Sequence, residues 1–259
     1  MIQELARVAA NTEPVPQAHL LWLEAPPIAS QSQPGQFVMV RCGEKEEYQL
    51  RRPLSIHQRE GSQIALLFSV VGKGTQWLSQ RQPGDRLDLL GPLGNGFNVN
   101  PGSKNLLLVA GGIGIAPLYF LADEAIKQGK EVTLLVGATT ATQLYPSKLL
   151  PKVKLVTTTE DGTAGEKGMI TDILPDYINW ADQIFACGPL PMYRNMANNY
   201  PQLKKSGKST QISLEVRMGC GLGVCYGCTV KTRKGLKQVC QDGPIFELDD
   251  VLWEELADI

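Results

Sequence analysis

The chain has 259 residues, 43% of them hydrophobic and 20% charged, which is enough for two compact domains with ordinary cores. With 25 basic and 26 acidic side chains the net charge is −1, so there is no basic field for nucleic acid. No apolar run reaches the roughly 18 residues that span a bilayer, which argues against membrane insertion. Glu4, Arg7 and Glu13 interrupt the N-terminus where an export signal would need an apolar stretch, so a cytoplasmic protein is expected.

Residues 1–100 read as β-rich. Short apolar or alternating runs at Leu20–Leu23, Phe37–Val40, Ile64–Val70 and Leu87–Leu90 are punctuated by Pro34-Gly35 and Pro83-Gly84. Such spacing predicts an antiparallel barrel or sandwich, with a short helix at Thr75–Arg81. Within it, Arg51-Arg52-Pro53-Leu54-Ser55 carries guanidinium groups that can fork onto a phosphate and a hydroxyl suited to a ring nitrogen. The same residues also read as a charged strand edge. Val71-Gly72-Lys73-Gly74-Thr75 either exposes N–H groups at a helix start or is a plain turn with Thr75 as its cap. The loop Gly91-Pro92-Leu93-Gly94-Asn95-Gly96-Phe97 reads equally as a domain junction.

Beyond Asn100-Pro101-Gly102 the pattern changes, and residues 101–214 read as an α/β domain. Strands are predicted at Leu106–Ala110, Glu131–Val136, Lys154–Thr158, Gln183–Ala186 and Ile212–Leu214. Helices alternate with them: one runs to about Gln128, and others cover Thr171–Tyr177 and Met192–Tyr200. This alternation predicts a parallel sheet of nucleotide-binding type. Gly111, Gly112 and Gly114 follow a buried strand and open a helix, so a pyrophosphate can approach their backbone, although the run is not a full G-x-G-x-x-G and reads also as a tight β–α turn. Cys187-Gly188-Pro189 ends another strand at the same carboxyl edge, and Glu160-Asp161-Gly162 is either a turn or a ribose contact there.

Residues 215–259 hold four of the six cysteines and end in a predicted acidic helix, Asp249–Leu256. Cys220, Cys225, Cys228 and Cys240 are spaced C-x4-C-x2-C-x11-C. A structural zinc site pairs its ligands on two short knuckles, whereas this uneven run matches the plant-type [2Fe–2S] pattern. Zinc and plain buried thiols are the competing readings of the same four residues. Cys42 ends an apolar strand and reads as inert core.

In chain order, the R-P-L-S, G-K-G-T, G-P-L-G-N-G-F, G-G-I-G-I-A-P-L and C-G-P stretches resemble the ferredoxin reductase superfamily. The cysteine run followed by Asp242-Gly243-Pro244 narrows the resemblance to the electron-transfer subunits of class 1B dihydroorotate dehydrogenases. It covers nearly the whole chain and implies a multidomain α+β protein: an FAD barrel (1–100), an NAD(P)-binding α/β domain (101–214) and a [2Fe–2S] module (215–259). It further implies that Arg52 holds the FAD pyrophosphate, that Pro53, Leu54 and Ser55 line the isoalloxazine, that Leu67, Phe68 and Ser69 run along it, and that Gly74 and Thr75 cap its phosphates. Gly111, Gly112, Gly114, Cys187, Gly188 and Pro189 would receive NAD(P), and Cys220, Cys225, Cys228 and Cys240 would ligate one cluster. The strand end Gly137-Ala138-Thr139-Thr140 carries neither an acid for NAD nor an Arg for NADP, so that choice stays open.

The implied role is an electron conduit in pyrimidine synthesis, running from the FMN of a catalytic subunit through the cluster and FAD to NAD+, in a heterotetramer of two plus two subunits. No acid–base pair for oxidising dihydroorotate is discernible around His19 and His57. A subunit of a sulfhydrogenase or of a ferredoxin–NADP transhydrogenase would share the cofactors and differ in partner. A non-redox zinc module would share only the thiolates.

Overall fold

A computed structural model describes residues 1–43, 50–145, 152–201, 203 and 207–256. Six antiparallel strands come first: β1 (Ile2–Val15), β2 (Ala18–Glu24), β3 (Phe37–Val40), β4 (Arg52–Glu60), β5 (Gln63–Ser69) and β6 (Arg86–Leu93). They close into a barrel in the order β1-β2-β5-β4-β3-β6, which leaves no sheet edge to protect. The two-residue period divides β3: Val38 and Val40 point into the barrel core, while Phe37 and Met39 pack into a second core outside it. That strand is buried on both faces because the rest of the protein docks against it. The helix α1 (Pro26–Gln31) buries Ile28 and Ala29 in the barrel core. After β5, α2 (Lys73–Ser79) does the same with Leu78.

The second unit is a parallel sheet of β7 (Asn105–Gly111), β8 (Glu131–Ala138), β9 (Val153–Thr159), β10 (Glu166–Lys167), β11 (Gln183–Cys187) and β12 (Thr210–Ser213), ordered β10-β9-β8-β7-β11-β12. Chain order reverses at β7, between β8 and β11, which opens a crevice at the strands' carboxyl ends. The helix α3 (Ile115–Lys127) fills one face with Leu118, Leu121, Ala122 and Ala125. The others are α4 (Pro175–Ile178) and α5 (Leu190–Asn199). α4 is shorter than the predicted Thr171–Tyr177, because the Thr171 carbonyl accepts the Tyr200 hydroxyl at 2.6 Å and the Asp172 carboxylate accepts the Met169 N–H at 2.8 Å. Those bonds hold the stretch as turns, and Pro175 then starts the helix.

The C-terminal segment forms a hairpin of β13 (Thr229–Thr232) and β14 (Gly235–Gln238), followed by a one-turn helix at Val239–Asp242. Its last strand, β15 (Ile245–Glu247), pairs antiparallel with β12 and becomes the seventh strand of the sheet. The predicted helix Asp249–Leu256 is instead a single 3-10 turn at Trp253–Glu255. Its backbone is committed elsewhere: Arg233 N–H donates to Asp250 O at 2.7 Å, and Leu252 N–H to Lys231 O at 3.2 Å. The loop Gly91–Phe97 is a junction, with Asn95 N–H donating to Gly243 O at 2.6 Å and Asn95 Nδ2 to Asp242 O at 3.0 Å.

Candidate functional site

Two cavities and a cysteine loop adjoin where these units meet. The barrel cavity, about 680 Å³, is lined by Arg52, Pro53, Leu54 and Ser55 of β4 and by Leu67, Phe68 and Ser69 of β5. Antiparallel pairing brings the two runs side by side, and Thr75 closes one end. Arg51 also lines the cavity, but its guanidinium is held by Asp88 at 2.7 Å, with a further bond to the Asp88 carbonyl at 2.8 Å. Arg52 is differently engaged. It donates to Leu50 O at 2.8 Å and lies against Gly74, where an added Cβ would stand 2.9 Å from Arg52 Nε. Thr75 uses its hydroxyl on its own turn, accepting Val71 N–H at 3.0 Å and donating to Gly72 O at 3.0 Å.

The sheet cavity, about 670 Å³, lies in the crevice at the switch point and is lined by Gly111, Gly112, Gly114, Gly188 and Pro189. Gly114 allows the closest approach in the site: a Cβ there would stand 2.0 Å from the Cys187 carbonyl oxygen. Cys187 lies behind this wall, fully buried, with Sγ 3.9 Å from Glu215 Oε1. The Cys-Gly-Pro turn is locked in place, since Gly188 N–H donates to the Tyr193 hydroxyl at 2.9 Å and that hydroxyl donates to Ser213 O at 2.7 Å. At the far end Thr139 Oγ1 donates to Glu160 Oε1 at 3.3 Å, so both strand ends line the cavity.

Among the described residues, Ile113 and Glu215 line both cavities. The Glu215 side chain is exposed to the cavity space, although the surrounding protein encloses it on its other sides. Burial raises its carboxyl above the usual carboxylate value, and the Cys187 thiol pulls the other way. Sequence reasoning passed over Glu215, Ile113, Met218 and Pro244, which complete the barrel cavity from distant parts of the chain. A lone Glu after a strand carries no local signal. Only the return of β12 beside β11 brings it to the shared wall.

The four predicted cysteines gather into two pairs. Cys228 and Cys240 are buried with their sulfurs 3.3 Å apart, while Cys220 is half-buried, Cys225 is exposed, and these two are hydrogen-bonded. Loop N–H groups aim at sulfur: Leu222 N–H reaches Cys220 Sγ at 3.3 Å, and Gly223 N–H reaches Cys240 Sγ at 3.2 Å. Burial alone would raise the Cys220 thiol, but N–H donation from Leu222, Cys225 and Val224 outweighs it and holds the group at about 6. Cys240 goes the other way, to about 12, through burial and the neighbouring Cys228. Among the described residues no three ligating side chains form a compact mononuclear metal site. Two thiol pairs under converging N–H groups suit a binuclear cluster whose ligands divide between two irons. The loop rests on the barrel: a Cβ at Gly221, where φ is +74°, would stand 2.6 Å from Met39 Cγ.

The comparisons agree with this geometry. The family model described as the iron-sulfur cluster binding domain of dihydroorotate dehydrogenase B matches residues 215–252, and the oxidoreductase NAD-binding domain matches residues 108–198. The dihydroorotate dehydrogenase B (NAD(+)) electron transfer subunit of Desulforamulus reducens is 39% identical, over 96% of this chain and 98% of its own. This chain belongs to the family of dihydroorotate dehydrogenase B electron-transfer subunits. A chain of the NADH-dependent reduced ferredoxin–NADP oxidoreductase superposes with a TM-score of 0.85 at 32% identity, covering 98% of this chain and 91% of that one. The ferredoxin NADP+ reductase of Neisseria gonorrhoeae with bound FAD and NADP superposes at 0.64 with 18% identity, over 79% of this chain and 92% of that one, and shares the fold. The cysteine segment is therefore an iron–sulfur module, and the zinc reading falls. Among the described residues no helix is long and apolar enough to cross a membrane.

Proposed function

We propose that this chain is the electron conduit of an NAD-dependent dihydroorotate dehydrogenase, taking electrons in at the cysteine loop and delivering them at the sheet cavity. One observation carries the reading: the two cavities share a wall at Ile113 and Glu215, and the cysteine loop abuts the barrel cavity on another side. Phe37 and Met218 line that cavity, Met39 of the same strand lies under Gly221, and Cys220 follows Met218 by two residues. When bound, FAD supplies a carrier that exchanges a hydride with NAD and single electrons with the [2Fe–2S] cluster.

The chain's own residues bind and orient. Arg52 holds the FAD pyrophosphate beside Gly74 and Thr75, since Arg51 is occupied by Asp88. Pro53, Leu54, Ser55, Leu67, Phe68 and Ser69 form the slot for the ring, which excludes water from one face. Gly111, Gly112, Gly114, Gly188 and Pro189 receive NAD, with buried Cys187 supporting the turn from behind. Cys220, Cys225, Cys228 and Cys240 ligate the cluster. Residues 1–100, 101–214 and 215–259 are the functional units for FAD, NAD and cluster. The sheet-cavity lining holds no Lys or Arg among the described residues, and it includes the Glu160 carboxylate, which favours NAD over a 2′-phosphate.

The partner is an FMN-bearing catalytic subunit that oxidises dihydroorotate, joined in a heterotetramer of two plus two. Leu222, Val224 and Tyr226 are 40%, 71% and 71% exposed around the cysteine loop, an apolar patch beside the electron entrance that suits an obligate interface. Six uncrosslinked cysteines fit a reducing cytoplasm. The test is composition and acceptor activity of the purified chain: about one FAD and two irons with two sulfides are expected. NADH should reduce an artificial acceptor, while dihydroorotate alone should not. A colourless protein, or one oxidising dihydroorotate unaided, contradicts the proposal.

A further inference from the structure

His57 belongs to none of the three sites and is completely buried. It stands on β4 two residues past Ser55, between the barrel and the nucleotide-binding sheet. Its Nδ1 lies 2.9 Å from the carbonyl oxygen of Ala116, in the first turn of α3, and its Nε2 lies 3.3 Å from the Tyr145 hydroxyl. A carbonyl oxygen only accepts, so Nδ1 carries the proton, and Nε2 is left to accept from Tyr145 O–H. Tyr119, one turn along α3, packs on the ring at 4.7 Å, and Tyr145 meets it edge-on at 5.4 Å. Burial lowers the ring's pKa to about 4, so it stays neutral in this single tautomer.

The three segments joined at this ring bear directly on the two cavities. β4 carries Arg52–Ser55 of the barrel cavity. Ala116 lines that cavity itself and follows the Gly111–Gly114 turn that lines the sheet cavity. Tyr145 lies two residues past Gln143, which lines the sheet cavity together with Thr139. We infer that His57 is a positioning residue for hydride transfer: its two ring nitrogens tie the flavin strand to the glycine turn and to the Thr139–Tyr145 segment, and so fix where the nicotinamide meets the flavin. This rests on the functional reading above. Arg59, two residues further along β4, makes a plainer bridge to Glu124 of α3 at 3.4 Å, away from both cavities, and serves as the control.

The experiment uses the full chain loaded with its cofactors, in four variants: His57→Leu, His57→Asn, Tyr145→Phe and Glu124→Gln. Asn can place an N–H near that of Nδ1, whereas Leu fills space without a donor. Four quantities are read: FAD content, the long-wavelength charge-transfer absorption of nicotinamide stacked on flavin, the anaerobic rate at which NADH bleaches the flavin, and KM for NADH. A misplacement of about 1 Å costs up to roughly a hundred-fold in rate, so His57→Leu should lose the charge-transfer absorption and slow bleaching by about ten- to a hundred-fold. FAD content should hold and KM should move little. His57→Asn should recover most of the rate, Tyr145→Phe should show a smaller loss, and Glu124→Gln should match the parent. With two histidines in the chain, nitrogen NMR should show one ring locked as the neutral Nδ1–H form at pH 7.

Wild-type rate and charge-transfer absorption in FAD-replete His57→Leu overturn the inference, as does an Asn variant as slow as the Leu variant. Should His57→Leu not fold, Tyr145→Phe decides, and an unchanged rate and absorption there overturn it. Failure of the functional reading looks different: the parent chain itself would lack FAD, or its flavin would not respond to NADH.

Discussion

The two cavities are nearly equal in volume, about 680 and 670 Å³, and opposite in how they are built. The barrel cavity is walled by side chains from both strand systems and the cysteine segment; Arg52 and Arg217 supply positive charge beside the Asp88-paired Arg51, and Glu215 is shared with the sheet cavity. The sheet cavity offers glycine backbone and two carboxylates, Glu160 and Glu215, with no Lys or Arg among its described lining residues. A guanidinium adds a charge-assisted, bidentate bond to a pyrophosphate, whereas a cavity without Lys or Arg relies on backbone N–H groups alone for the phosphate. On the proposed assignment, the difference is that between a resident cofactor and one that must leave every turnover.

The largest expected effect leaves both cavities intact and removes only the electron inlet. Cys225→Ser should abolish cluster iron and the reduced-state EPR signal while NADH still bleaches the flavin; full retention of iron and sulfide would refute the ligand assignment. Next comes the joint between the cavities. The unfolded His57 ring takes up a proton as pH falls below its usual 6.5, but the buried ring resists until about 4. Its contribution is therefore complete above about pH 6.5 and fades towards pH 4, by about 3 kcal/mol in all. Denaturant titrations of the parent and His57→Asn should converge over that range, and parallel curves would contradict the assignment.

Arg52→Ala should weaken FAD retention by roughly ten- to a hundred-fold, the worth of a charge-assisted bond of about 1.5–3 kcal/mol, with KM for NADH unmoved. Flavin content after gel filtration reads it. The mirror-image change is Gly114→Ala, whose Cβ meets the Cys187 carbonyl. It should raise KM for NADH by about ten-fold, or about 1.4 kcal/mol, and spare FAD. If each variant disturbed both ligands equally, the contrast between the cavities would collapse.

Much of this was legible in the chain. Leu106–Ala110 and Ile184–Ala186 are continuous apolar runs because both faces of a parallel sheet are covered, and both lie in strands. The C-x4-C-x2-C run announced its chemistry because cluster ligation depends on local spacing. β1 was harder to see: Ala6 and Val8 are its two residues in the barrel core, with Ile2 packed against it, while Leu5 is 58% exposed. Asp249–Leu256 has helical composition, but its carbonyls and amides pair with the hairpin instead. Glu215 and His57 gave no signal at all. Each matters through three segments that meet only after folding, and no periodicity records such a meeting.

The central claim is that electrons enter at the cysteine loop and leave as hydride at the sheet cavity. Its most direct test mixes the FAD- and cluster-loaded chain with its FMN-bearing catalytic partner, dihydroorotate and NAD+ under anaerobic conditions, and follows NADH formation. The account predicts NADH formation that requires both proteins and disappears with Cys225→Ser. No NADH from fully loaded proteins, with electrons exchanged only with a ferredoxin or a hydrogenase subunit, would contradict it.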